Sequence, residues 1–190
     1  MDRSHVVRRA VHMSVALAPL YYLLPVEFEG VPVRRWQLLM VFFFVVAVFE
    51  AIRLRRGMTF TGLRPHEMHS IASFAWAAAG VTAALWLMPM EIATPVLIGM
   101  GLCDPLAGEL RRKKTPMLCQ IALPVVAYFM ICVGALALMT ESALVLIVTI
   151  SVAGSFLAMA TERYRIRFVD DDFLMIVMPG ALMSALWLGL

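Results

Sequence analysis

The chain has 190 residues, of which 62% are apolar and only 15% charged, against roughly a quarter charged in an ordinary soluble domain. With a mean hydropathy of +0.87, it carries more apolar side chain than a soluble domain of this size can hide. That excludes a globular cytosolic protein, and equally a disordered chain, a coiled coil or a secreted disulfide scaffold. The net charge of +3 and the pI near 9.0 do not point to nucleic acid, because the basic residues flank apolar runs, where a membrane accounts for them.

A helix that crosses a bilayer needs about 20 mostly apolar residues. In chain order, seven runs reach or approach that length: about 10–26, 36–52, 69–88, 91–108, 118–139, 142–161 and 173–190. The first is short and contains Pro19 and Pro25. The fourth is expected to break at Asp104-Pro105, because Pro105 has no N–H to offer the carbonyl of Gly101. The runs are continuous rather than alternating, which predicts helices and not the strands of a barrel. No small-residue cleavage site follows the first run, so no cleavable signal is expected. The expected fold is an all-α integral membrane protein of about seven transmembrane helices, one polytopic domain over 1–190. The longest loop, from Arg53 to Met68, is about 16 residues, so no separate soluble domain is expected. Cys103, Cys119 and Cys132 lie inside apolar runs and read as free thiols packed as small hydrophobes. The 15 methionines read as core filler.

Orientation follows from the basic residues. With the N-terminus cytoplasmic, the inside segments 1–9, 53–68, 109–117 and 162–172 hold Arg3, Arg8, Arg9, Arg53, Arg55, Arg56, Arg64, Arg111, Arg112, Lys113, Lys114, Arg163, Arg165 and Arg167. The outside loops hold only Arg34 and Arg35. This positive-inside asymmetry predicts a cytoplasmic N-terminus and an external C-terminus.

The same topology gathers the chemistry-bearing residues at the cytoplasmic ends. Arg8 and His12, at i and i+4, share a helix face, as do Glu50 and Arg53 at i and i+3. Glu67 opens the third run, Asp104 and Glu109 end the fourth, Glu162 ends the sixth, and Asp170, Asp171 and Asp172 open the seventh. An aspartate at a helix centre costs about 2.5–3.5 kcal/mol on insertion scales, so Asp104 needs a partner or a task. Gly101, Asp104 and Gly108 share a face where small residues admit another helix or a ligand. Arg111-Arg112-Lys113-Lys114 can grip polyphosphate oxygens or anionic headgroups. The aspartate triplet suits Mg²⁺, which prefers hard oxygen ligands shared with substrate phosphates, although one aspartate would serve as a helix cap. His66-Glu67-Met68-His69 spaces its histidines at i and i+3, one short of the zinc-protease motif. Neither a P-loop nor a Gly-x-Ser-x-Gly elbow is present.

Taken in order, these segments resemble the CTP-dependent lipid kinases: dolichol kinase, phytol kinase and the CTP-using diacylglycerol kinase of fungi, a group similar to the phosphatidate cytidylyltransferases. The resemblance rests on Arg8-Arg9-Ala-Val-His12, Glu50-Ala-Ile-Arg53, Arg64-Pro-His-Glu67, Gly101-Leu-Cys-Asp104-Pro105-Leu-Ala107-Gly108, and Glu162 followed by Asp170-Asp171-Asp172. Two segments depart from the family pattern. Lys114-Thr115 is followed by Pro116-Met117-Leu118, with neither Glu nor Gly, and Asp172-Phe173 stands where an asparagine is common.

The resemblance implies a phosphotransferase that moves phosphate from CTP to the hydroxyl of a polyprenol, another isoprenoid alcohol or diacylglycerol at the cytoplasmic membrane face. The membrane would be the cell membrane, or the endoplasmic reticulum in a eukaryote. The expected partners are a bilayer lipid and a cytoplasmic nucleotide, with no nucleic acid. Asp104, Asp170 and Asp171 are expected to hold Mg²⁺. Arg8, Arg9, Arg53, Arg111, Arg112, Lys113 and Lys114, with the close backbone approach at Gly101 and Gly108, are expected to hold the nucleotide. Asp104, Asp171, His12, Glu50 and Glu162 are the candidate catalytic residues, and the base for the lipid hydroxyl is His12 or an aspartate. Two other readings share parts of this pattern: a CDP-lipid synthase, which needs the same metal and cations, and a non-catalytic scaffold or transporter. A transporter should carry charge near the midplane or on both faces.

Overall fold

The computed structural model describes residues 3–30, 32–163 and 169–189, with side chains from Val7 onward apart from those of Pro65 and His66. Arg165 and Arg167, counted above among the inside cations, fall outside the described residues, as does the side chain of Arg3. The chain forms α1 (Arg3–Val15), a 3-10 turn (Ala18–Leu23), α2 (Arg35–Arg56), a second 3-10 turn (Pro65–Met68), α3 (Ser73–Leu87), α4 (Met90–Arg112), α5 (Met117–Met139), α6 (Leu144–Arg163) and α7 (Asp171–Gly189). It is all-helical, and α2, α4, α5, α6 and α7 are each long and apolar enough to cross a membrane. α3 is apolar but has only 15 residues.

Two expectations about helix continuity are corrected. The run 10–26 is not one helix. α1 stops at Val15, Ala16 and Leu17 close i→i+3 bonds to Met13 and Ser14, and the chain tightens into the 3-10 turn that contains Pro19. A proline there removes the N–H that α-helical pairing needs, and Pro25 pushes Leu24 into extended backbone. Conversely, α4 does not break at Asp104-Pro105. It runs through both Pro95 and Pro105. Each proline removes one backbone bond, but α4 is the most buried of the five long helices and packs on α1, α3, α5 and α7. Neighbouring helices hold an interior proline in place where an isolated helix would kink apart.

The core surrounds α4. Ile92, Val96, Leu97 and Met100 of α4 meet Tyr128, Cys132 and Leu136 of α5, Ile150 of α6 and Met175, Ile176 and Met183 of α7. Cys103 and Cys132 are buried free thiols in this core, and Cys119 is a half-buried one. α2 lies at the edge of the bundle, where it packs on α3, and it is the least buried of the five. Its end is set by Gly57, whose positive φ of 62° lets its N–H reach back to the carbonyls of Arg53 and Leu54.

Candidate functional site

The site begins with a close helix crossing. At Gly101 a Cβ would lie 2.6 Å from the backbone nitrogen of Ala16, so a glycine is what lets the end of α1 lie against α4. That contact sets His12 of α1 beside Asp104 of α4, one turn on from Gly101. α7 packs against the same region of α4 and brings in Asp172. The three residues are 4%, 8% and 1% exposed, and one donor atom from each lies within 4.8 Å of the other two. His12 Nδ1 is 3.6 Å from Asp172 Oδ2 and 3.9 Å from Asp104 Oδ2. These gaps exceed hydrogen-bonding distance, and both Nδ1 of His12 and Oδ2 of Asp172 are buried with no hydrogen-bond partner. On the far side of the ring, Arg8 Nε donates to His12 Nε2 over 3.4 Å.

The aspartate triplet divides its work. Asp170 caps α7, its Oδ1 accepting from the backbone N–H of Asp172 at 3.2 Å. Its Oδ2 and the Oδ1 of Asp171 each lie 3.6 Å from Nη1 of Arg64. Burial and the Asp171 charge push the Asp170 carboxyl up to about 6. Burial pulls Arg64 down, but the carboxylates of Asp171 and Asp170 outweigh it and hold the guanidinium above its ordinary value. Oxygens of Asp170, Asp171 and Asp172 also lie within 4.8 Å of one another. Arg8, Arg111 and Arg64 are the cations whose charge bears on Asp104.

The other expected site residues fall into two groups. At the end of α4, Glu109 pairs with Arg9, with Arg112 at 2.6 Å and with Lys113 at 3.9 Å, while Arg111 pairs with the buried Glu162 of α6. Lys114 turns the chain toward α5 in left-handed backbone, and Gly108 faces open space apart from the tip of Arg111. The second group is a closed network under the 57–72 loop. Arg53, fully buried, grips both oxygens of Glu50 at 2.6 and 2.7 Å and donates to the carbonyl of Ser70 at 2.7 Å. Glu50 accepts from the N–H of Ala72, and Glu67 from those of Arg64 and Ser73. The geometry thus sets Glu50 and Arg53 on each other and on the loop. A small cavity of about 60 Å³ between α1, this loop and α3 has His12 in its wall, together with Val11, Val15, Phe60 and Phe74.

Two residues of the site have no individual role that the sequence alone assigns. Asp172 was visible as the third aspartate of the triplet. Its telling signal is spacing: with Met175, Ile176, Pro179 and Met183 it falls at i, i+3, i+4, i+7 and i+11, and that stripe is the buried face of α7. Arg64 sits in a loop, where spacing gives no signal, and only the fold carries it to Asp170 and Asp171. Comparison with known proteins returned no matching family model, no matching curated protein and no matching solved structure.

Proposed function

We propose that this chain is a membrane-embedded phosphotransferase that moves a phosphate from CTP to the hydroxyl of a polyprenol, a related isoprenoid alcohol or diacylglycerol. One observation carries the reading. His12, Asp104 and Asp172, from three different helices, meet in the buried core beside Asp170 and Asp171, with Arg8, Arg64 and Arg111 around them. Carboxylates held next to arginines in this way suit a polyphosphate and its cation, because phosphoryl transfer asks the protein mainly to position groups and neutralise charge. The choice of CTP and of these lipids comes from the family resemblance.

The aspartates expected to hold Mg²⁺ divide between two groups, Asp170 and Asp171 with Asp172, and Asp104 with His12 and Asp172; the first, all oxygen, suits Mg²⁺, which when bound would supply charge neutralisation on phosphate oxygens. Arg8, Arg64 and Arg111 orient the phosphate chain against those carboxylates. The cations at the end of α4, Arg112, Lys113 and Lys114, are exposed and draw in the nucleotide. The apolar cavity beside His12 receives the end of the lipid chain and brings its hydroxyl to the cluster. The proton of that hydroxyl passes to His12 or to an aspartate of the same group. In this reading the chain crosses the membrane seven times, with the cluster and the N-terminus cytoplasmic and the C-terminus outside. The same three arginines would also receive a lipid phosphate, which is the observation that keeps a CDP-lipid synthase as the second reading.

The deciding experiment offers purified protein labelled CTP, Mg²⁺ and panels of lipid alcohols and lipid phosphates. CDP with a phosphorylated alcohol is expected. Pyrophosphate with a CDP-lipid would favour the synthase. No product, and no thermal stabilisation by any nucleotide with Mg²⁺, would favour a scaffold. Reporters placed in the 111–115 turn and after Leu190 should lie on opposite sides of the membrane, and finding them on one side would overturn the topology.

A further inference from the structure

We infer that His12, Asp104 and Asp172 form a mixed nitrogen-and-oxygen site for a first-row transition metal ion, one that prefers Mn²⁺, Co²⁺ or Zn²⁺ to Mg²⁺. The site shares Asp104 with the proposed transfer centre but stands whether or not that reading holds. Three features carry it: geometry, unmet bonding and donor chemistry.

Ligand atoms about 2.1 Å from a common ion are separated by about 3.0–3.6 Å at angles of about 90–120°. His12 Nδ1 stands 3.6 Å from Asp172 Oδ2 and 3.9 Å from Asp104 Oδ2. These distances are too long for hydrogen bonds and within a few tenths of an ångström of those between ligands of one ion. The three residues come from α1, α4 and α7, so the separations are fixed by helix packing, with Gly101 against Ala16 setting the first of them.

The second feature is that these atoms are left wanting. Nδ1 of His12 and Oδ2 of Asp172 are buried, face each other and have no hydrogen-bond partner. Such groups out of water ordinarily find partners. Two buried carboxylates this close also call for positive charge between them. Arg8 reaches the opposite edge of the imidazole, at Nε2, and Arg64 sits on Asp170 and Asp171, so neither fills the gap. A divalent ion between the three atoms satisfies all of them. With the ion on Nδ1 the ring carries its proton on Nε2, and Arg8 gives up a hydrogen bond that is already long.

The donor set selects the ion. Mg²⁺ favours oxygen ligands and keeps much of its water, whereas an imidazole nitrogen suits Zn²⁺ and its first-row neighbours such as Co²⁺, and the two carboxylates beside it also suit Mn²⁺. Three protein ligands leave coordination positions open for water or for oxygens of a second molecule. The site shares Asp172 with the all-oxygen group of Asp170, Asp171 and Asp172 and differs from it in its nitrogen ligand. If His12 holds the ion, the proton acceptor of the proposed transfer is an aspartate.

The test uses the full chain in detergent micelles, stripped with chelator, with no nucleotide or lipid substrate, so that its failure is separate from failure of the kinase reading. Co²⁺ is titrated and followed by its visible absorbance, then competed with Zn²⁺ and Mg²⁺. One Co²⁺ per chain is expected, displaced by Zn²⁺ but not by a hundredfold excess of Mg²⁺. His12→Ala and Asp172→Asn should each weaken binding at least about tenfold, the size that even a lost supporting contact produces, while Asp170→Asn should weaken it less than either. Should His12→Ala fail to fold, pulsed electron paramagnetic resonance of the Mn²⁺-loaded native chain should show coupling to an imidazole nitrogen. Displacement by equimolar Mg²⁺, a Co²⁺ spectrum untouched by His12→Ala, loss of binding in Asp170→Asn alone, or no nitrogen coupling would each overturn the site.

Discussion

Two buried charged clusters lie close together at one end of this bundle, and they are built on opposite plans. The Glu50–Arg53–Glu67 network is closed: both oxygens of Glu50 and of Glu67 accept hydrogen bonds, and Arg53 makes three, leaving its Nη1 over. The His12–Asp104–Asp172 cluster is open: its atoms face one another over 3.6–3.9 Å with bonds unmade. The same residue types therefore do different work. Charges that satisfy each other and the backbone hold a loop, and charges held apart wait for something else. Sequence alone places Glu50 and Arg53 as readily in a site as His12 and Asp104. The count of unmet bonds separates them.

The largest expected effect lies in the open cluster. Asp104→Asn keeps size and removes charge, so phosphate transfer should fall by orders of magnitude while the chain still folds, as read by product formation beside a melting curve. Asp171→Asn should act alike, and the two losses should not multiply if both residues serve one centre. Near-normal turnover in Asp104→Asn would make that cluster as structural as its neighbour.

The closed cluster should behave in reverse. Glu50→Gln or Arg53→Met strands a buried charge, which costs about 3–5 kcal/mol, and should show as a large loss of stability in denaturant. Asp172→Asn, which relieves unpaired buried charge, should leave the metal-free protein as stable as before or more so. Equal destabilisation by Asp172→Asn and Glu50→Gln would erase the contrast. A smaller effect belongs to the packing that assembles the open cluster. Gly101→Ala sets a methyl 2.6 Å from Ala16 N, so α1 must shift, at about 1–3 kcal/mol. It should also weaken ion binding at His12 although it removes no ligand.

The smallest effect is one of pH. The Asp170 carboxyl titrates near 6 in the folded chain against an ordinary 3.8. The folded state therefore holds a proton that the unfolded state has released, and stability falls as pH rises through that window. The Asp170 contribution should therefore be read as a difference: in the metal-free protein, Asp170→Asn, which keeps the cap, should lose stability relative to the native chain as pH is lowered from about 6 toward 4.

Much of this architecture is legible in apolar run length. The runs near 36–52, 91–108, 118–139, 142–161 and 173–190 correspond to α2, α4, α5, α6 and α7 within a few residues, because a helix in hydrocarbon must be continuous and apolar. What was not legible depends on neighbours. Pro105 looks like a break until α1, α5 and α7 are packed around it. Pro19 looks like a minor flaw in a span, yet there the chain leaves the α-helix. Within the site, Asp104 and His12 stand out as charges in apolar surroundings. Asp172 is hidden among three adjacent aspartates, and Arg64 lies in a loop with no periodicity to place it.

The length of α3 has a consequence for the membrane itself. Its 15 residues rise about 22 Å, against a hydrocarbon thickness of about 30 Å. If α3 is one of the seven spans proposed above, its start, anchored by Glu67 at Ser73 and by Arg53 at Ser70, lies short of the headgroups, and the bilayer must thin locally to meet it. Thickening the bilayer opposes that deformation at a fraction of a kcal/mol per ångström. On that topology a thick, sterol-rich membrane opposes the fold more than a thin one, so acyl chain length acts on its stability as temperature or denaturant would.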